Sequence, residues 1–166
     1  TVLLCGETGT GKDVVARAIH CGSKRQKQSF VPLSCCAIPA SLVESELFGH
    51  VKGAFTGAVE SRIGKMQVAD GGTLFLDEIG EMPHEAQASL LRVLQDGCFY
   101  PVGGTRLVEV DVRFICATNR DFEKAIAGGT FRQDLFYRIN VLHVEMPPLR
   151  KRRDDIPKLV AHFVAK

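Results

Sequence analysis

The heptapeptide Gly6-Glu-Thr-Gly-Thr-Gly-Lys12 decides the fold. Ahead of it stands Thr1-Val-Leu-Leu-Cys5, a short continuous apolar run of the kind that forms a buried strand. Behind it, Val14, Val15, Ala18 and Ile19 share one helical face until Gly22 stops the segment. Glycine, four residues, then Gly-Lys, set between a strand and a helix, is the phosphate-loop pattern in the context it requires. Gly9 and Gly11 let backbone N–H groups turn inward around a phosphate. Lys12 reaches the β- and γ-phosphates, and the helix N-terminus adds partial positive charge. Gly6, Glu7, Thr8, Gly9, Thr10, Gly11, Lys12 and Asp13 are therefore the expected nucleotide-binding segment. The glycine order is wrong for a dinucleotide GxGxxG turn. Asp13 stands where a Ser or Thr hydroxyl normally touches Mg²⁺. It either acts on the metal through a water or caps the helix start.

Reading outward, apolar runs alternate with helix-period segments. Residues 30–35, FVPLSC, read as a second strand, and Ser41 with Glu44 reads as a capping box for a helix through Leu47. Residues 64–70 resume a helix, and Thr73–Asp77 is a uniformly apolar third strand. Pro83 opens a helix whose Leu90, Leu91, Val93 and Leu94 face inward, ending at Asp96-Gly97. Residues 98–110 form a hairpin around Gly103-Gly104, 111–118 a fourth strand and 140–146 a fifth. This alternation predicts an α/β fold: a five-stranded parallel sheet flanked by helices.

Polar residues gather where those strands end. Asp77-Glu78 closes the third strand: Asp77 would hold Mg²⁺, and Glu78 would polarise an attacking water. Thr118-Asn119 closes the fourth and would either sense the γ-phosphate or, through Asn119 or Asp121, cap the next helix. Arg132 and Arg138 are either arginines inserted at a neighbour's phosphate or surface groups paired with Asp134 or Glu145. The loop Gly49-His-Val-Lys-Gly-Ala-Phe-Thr-Gly-Ala-Val-Glu-Ser61 fits neither a helix nor a strand, and Phe55 has no apolar partner at helical spacing.

The totals exclude several classes. Hydrophobic residues make up 45% and charged residues 24% of the 166, an ordinary globular composition. A net charge of +2 does not by itself argue for nucleic acid. The longest apolar runs are too short to span a membrane. The six cysteines form no CxxC pair, so they read as reduced thiols of a cytoplasmic protein. The run Arg150-Lys-Arg-Arg153, followed by Asp154-Asp155, reads as a solvated linker. The chain starts inside a strand pattern without a methionine and ends at Lys166 in a helix pattern, which suggests a piece of a longer protein.

Assembled, these residues resemble the central AAA+ domain of sigma-54-dependent transcriptional activators, the bacterial enhancer-binding proteins of the NtrC class. The matching segments are GETGTGKD, SELFGHVKGAFTGA, GGTLFLDEIGEM, QASLLRVLQDG, FICATNRD, FRQDLFYRINV and PPLRKRRDDIP, with the hexapeptide Gly53-Ala54-Phe55-Thr56-Gly57-Ala58 the most specific. The resemblance implies a ring, usually a hexamer, with ATP or ADP and Mg²⁺ between subunits. Lys12, Asp77, Glu78, Thr118 and Asn119 would serve one face of that site, and Arg132 and Arg138 would reach in from the neighbour. The hexapeptide loop would remodel the sigma-54 RNA polymerase holoenzyme. It implies an ATPase subdomain over 1–148 and, over 149–166, a linker and the start of a helical lid that continues after Pro157. It also implies no direct DNA binding by this segment. Ser34 stands where the family usually has an Asn that pairs with the glutamate at position 78, which weakens the expected link between hydrolysis and the loop. The alternative is a nucleotide-gated regulatory or assembly module of the same fold with low turnover.

Overall fold

The computed structural model describes residues 1–164. The first apolar run forms β1 (Val2–Cys5) and leads through the glycine-rich turn into α1 (Lys12–Cys21). β2 (Phe30–Ser34) and α2 (Ala40–Phe48) follow. A two-stranded antiparallel ribbon, β3 (Gly49–His50) and β4 (Arg62–Ile63), carries the 51–61 loop. Then come α3 (Lys65–Val68), β5 (Thr73–Asp77) and α4 (His84–Asp96). A second ribbon, β6 (Cys98–Phe99) with β7 (Val108–Glu109), precedes β8 (Arg113–Thr118). The chain closes with α5 (Phe122–Ala127), α6 (Gln133–Ile139), β9 (Leu142–Glu145) and α7 (Ile156–Val164). The helix expected to reach Lys166 is therefore seen to Val164, and its last two residues lie outside the described residues.

β2, β5, β8, β1 and β9 make one parallel sheet in that order. Side chains along a strand alternate between faces, and this alternation splits the core. Leu3, Leu33, Leu74, Leu76, Phe114 and Cys116 pack on one face with residues of α2 to α6. Val2, Leu4, Phe75, Ile115 and Ala117 pack on the other with Ala16 of α1. Burial on both faces explains why β5 and β8 read as unbroken apolar runs.

Three local expectations fail. Only half of the Val14, Val15, Ala18, Ile19 face of α1 meets the core: Val15 and Ile19 pack against it, while Val14 and Ala18 are exposed. The helix buries Lys12, Ala16 and His20, while Val14 stays 65% exposed. The i, i+4, i+8 row that must place Lys12 at the turn fixes the rotation of the helix. Ala16 is small enough for close approach, and His20 is satisfied by the Thr73 hydroxyl at 3.0 Å. The capping box of α2 is absent: the helix starts at Ala40 behind Pro39, and the Glu44 carboxylate accepts from Ser89 of α4 at 2.7 Å. Finally, the basic run after β9 is not merely solvated, because two of its arginines bond back to the glycine-rich turn.

The six cysteines are free thiols, with Cys21 and Cys36 exposed and Cys35 and Cys116 buried. Burial pushes the Cys35 thiol up to about 12 and raises Cys116 further still. The thiolate is the reactive form. Iodoacetamide should therefore label Cys21 first in the folded chain and reach Cys35 and Cys116 only after unfolding, as read by peptide mass spectrometry. Native labelling of Cys116 at the rate of Cys21 would contradict this packing.

Candidate functional site

Register brings the polar strand ends together. Cys5 pairs with Thr118 on one side and Glu145 on the other, and Ser34 pairs with Asp77. All of these ends lie on the carboxyl edge of the sheet, where open α/β sheets hold ligands. Gly9 at φ 81° and Gly11 at φ 85° turn the 6–12 segment through left-handed backbone that disfavours a Cβ. Thr10 closes the turn through its amide and hydroxyl to the Glu7 carbonyl, at 3.3 and 2.8 Å.

Lys12 is the informative group. Its side chain is buried, and its ammonium donates to the Gly6 and Glu7 carbonyls at 3.0 and 3.2 Å. Among the described residues no carboxylate lies within ion-pair distance of it. A buried cation without a counter-charge, at the head of a helix, is a site for an anion. A cleft of about 130 Å³ opens there, lined by Thr8, Gly9, Gly11, Lys12, Asp13, Asp77 and Glu78. Asp13 and Asp77 both line it and bring two carboxylates, and no set of three metal-ligating residues gathers among the described residues. That donor set fits Mg²⁺, which binds one or two carboxylates together with phosphate oxygens and waters.

Glu78 sits at φ 51°, ψ 48°, the single non-glycine residue with positive φ among those described. Its amide donates to Asp77 Oδ1 at 3.0 Å, and its Oε2 accepts from the Asn119 amide at 3.3 Å. Such backbone persists only where surrounding contacts hold it. Asn119 also donates from Nδ2 to Thr8 Oγ1 at 3.0 Å, so it bridges the phosphate turn and the acidic strand end. Helix capping falls to Asp121, which accepts from the amides of Glu123 and Lys124. Thr118 is fully buried, with its hydroxyl accepting from the Arg120 amide at 3.0 Å, and it does not line the cleft. No described residue bonds the Ser34 hydroxyl.

Arg132 and Arg138 are also away from the cleft lining. Arg132 precedes α6 and forks onto Asp134 at 3.0 and 2.7 Å, while Arg138 donates twice to the Leu94 carbonyl at 3.1 and 2.9 Å. Behind them lies Gln87, which sequence reasoning assigned no role. Fully buried, it donates to the Met82 and Thr130 carbonyls at 2.8 and 2.9 Å and accepts from the Arg132 amide at 2.8 Å. A glutamine on the inward face of an amphipathic helix was the available signal. A second contact missed by sequence joins Arg150 to Glu7: both guanidinium nitrogens engage the carboxylate, one at 2.8 Å, and hold it below the usual range. Arg152 donates to the Thr10 carbonyl at 2.7 Å. The segment after β9 is thus strapped across the phosphate turn.

The 53–58 hexapeptide forms a self-closed turn. Gly53 N–H donates to the Ala58 carbonyl at 2.9 Å and Ala58 N–H to the Phe55 carbonyl at 3.0 Å, with Gly53 and Gly57 at φ 82° and 102°. Ala58 is buried, and Phe55 is 37% exposed. The 98–109 hairpin lies alongside. Val51 N–H donates to the Val102 carbonyl at 3.1 Å and Val102 N–H to that of Gly49 at 2.9 Å. A Cβ on Gly103 would stand 2.8 Å from that of Ala54, so glycine permits the contact.

Comparison with known proteins places this geometry. The family model described as the sigma-54 interaction domain matches residues 1–145. The chain is 60% identical over its whole length to a Nif-specific regulatory protein of Herbaspirillum seropedicae, covering 31% of that protein. It is 58% identical over 99% of its length to the DNA-binding transcriptional regulator NtrC of Escherichia coli (strain K12), covering 35% of it. It therefore spans about a third of these curated relatives. Among solved structures, NtrX from Brucella abortus in complex with ADP superposes with a TM-score of 0.90 at 44% identity, over 98% of this chain and 35% of that one.

Replacing Gln87 with leucine would leave the buried Met82 carbonyl, and the part-buried Thr130 carbonyl and Arg132 amide, without this partner. A buried group left unpaired costs about 1–3 kcal/mol. Gln87→Leu should therefore lower the urea midpoint clearly. A midpoint equal to that of the unaltered chain would show that the clamp contributes nothing.

Proposed function

This chain belongs to the family of sigma-54 interaction domains, and we propose that it is the ATP-hydrolysing motor domain of a sigma-54-dependent transcriptional activator. Residues 1–148 would be its AAA+ ATPase subdomain, and 149–166 a linker and the start of the helical lid. The observation that carries the reading is Phe55, half-exposed on a glycine-hinged loop within a fold whose phosphate cleft is intact. The cleft alone would suit many ATPases. The loop is what points to sigma-54.

In this reading the inward amides of the 6–12 turn and the Lys12 ammonium bind the phosphates of ATP. Lys12 exchanges its two carbonyl partners for phosphate oxygens. Asp77 and Asp13 would hold Mg²⁺, which when bound offsets phosphate charge. Glu78 orients and polarises the attacking water, positioned by the Asn119 amide. Arg132 and Arg138 do not line their own cleft, which suits a ring where each subunit's pair serves its neighbour's nucleotide. There they would trade Asp134 and the Leu94 carbonyl for phosphate oxygens. The ADP and ATP complexes of the NtrX relative support the choice of nucleotide. The partner is the sigma-54 RNA polymerase holoenzyme, met through residues 53–58, and the compartment is the cytoplasm. Among the described residues no helix is long and apolar enough to cross a membrane.

One observation favours a second reading, a nucleotide-gated module with low turnover: Ser34, which pairs in register with Asp77, has an unbonded hydroxyl among the described residues. Turnover separates the two. In the motor, Glu78→Gln should slow ATP hydrolysis about 10²–10⁴-fold while nucleotide still binds. Lys12→Ala should weaken nucleotide binding about 10- to 100-fold, the worth of a charge-assisted contact. With an ATP transition-state analogue present, the domain with its lid should capture sigma-54, and Phe55→Ala should abolish capture. Capture that is absent, or indifferent to Phe55→Ala, would overturn the sigma-54 reading.

A further inference from the structure

Phe55 is not partnerless. The His50 imidazole meets its ring edge to face, with centroids 5.1 Å apart and planes at 64°. The same imidazole is tethered from behind, because its Nδ1 shares a hydrogen bond of 2.7 Å with the Ser45 hydroxyl of α2. The backbone of His50 is pinned as well. It pairs with Arg62 across the β3–β4 ribbon and bridges to Val102 of the neighbouring hairpin. A ring fixed at its backbone by β4 and an isolated bridge to Val102, and at its nitrogen by a helix, has little freedom to follow a moving loop. Phe55, in contrast, sits between two glycines at positive φ.

We infer that His50 is a positioning residue, a fixed latch that holds Phe55 in a stowed pose and so sets how often that ring is presented to a partner. The inference rests on the reading of Phe55 as the partner contact. α2 is the natural lever on the latch. It carries Ser45, and its Glu44 accepts from Ser89 of α4, the helix whose Gln87 also bonds the Arg132 amide. Rotation of α2 that draws Ser45 away turns the imidazole and releases Phe55. Releasing the ring raises apparent affinity for whatever grips it, since affinity scales with the fraction of molecules in the competent pose.

The chain contains no tryptophan, so Phe55→Trp installs a single tryptophan at the latch, which excitation at the red edge selects over the two tyrosines. Acrylamide quenching of that residue reports its exposure without any need for sigma-54. In the Phe55→Trp background, His50→Ala should raise the population of the free pose about 2- to 10-fold, the worth of one edge-to-face ring pair. His50→Phe, which keeps a ring but not the tether to Ser45, should recover only part of the protection. Ser45→Ala should fall between and serves as the test if His50→Ala does not fold. Unchanged quenching in His50→Ala, or no recovery in His50→Phe, would overturn the latch. Adding sigma-54 to the same protein separates the two claims. Emission indifferent to sigma-54, with the latch pattern intact, would refute only the choice of partner.

Discussion

The buried ammonium of Lys12 is the constraint on which the rest of the structure depends. Among the described residues no carboxylate lies within ion-pair distance of it, and it bonds two carbonyls of the turn that precedes it. A cation so placed is tolerable when the backbone around it is fixed. The left-handed glycines 9 and 11 fix the turn from within, and the straps from Arg150 and Arg152 fix it from outside. The requirement also sets the roll of α1. With Lys12 turned inward, Ala16 and His20 must follow, and the valine at position 14 is left in solvent.

From that cleft two polar routes lead outward. One crosses the sheet edge: Thr8 to Asn119, and Asn119 to Glu78. It places the strained glutamate and the phosphate turn on one residue, so neither can shift without the other. The second belongs to the helical face. Glu44 and Ser89 join α2 to α4, and Gln87 joins α4 to the arginine ahead of α6. α2 runs directly into the ribbon that carries Phe55. Buried, fully satisfied polar contacts such as those of Gln87 fix one relative placement of two helices, because any slip leaves unpaired groups. This is how the chain ties Arg132, which does not line its own cleft, to the helix that leads into the loop.

Much of this was legible beforehand. The phosphate turn, the five parallel strands, the hairpin at 98–109 and the acidic pair at 77–78 were all readable, because each is a local pattern with a local cause. Glycine at a left-handed turn and apolar residues throughout a doubly covered strand need no distant partner to be recognised. The misreadings share a different cause. Periodicity put Val14, Val15, Ala18 and Ile19 on one helical face, yet only Val15 and Ile19 pack on the core, because which face of an amphipathic helix is buried is settled by what it must meet. Glu44 was spent on a cap three residues away, when Ser89 was the acceptor's real partner. Phe55 looked isolated because helical spacing was tested, and its partner lies five residues back across a turn.

The sequence by itself therefore determined the family, the class of fold and the place of the glycine-rich turn between β1 and α1, since these reside in contiguous residues and their order. Tertiary structure alone decided the pairing of side chains far apart in the chain: Arg150 with Glu7, Asn119 with Thr8, Gln87 with Arg132. The reason is physical. A hydrogen bond needs two groups within about 3 Å at a defined angle, and a one-dimensional pattern carries neither the distance nor the angle once the chain has crossed from one strand to another.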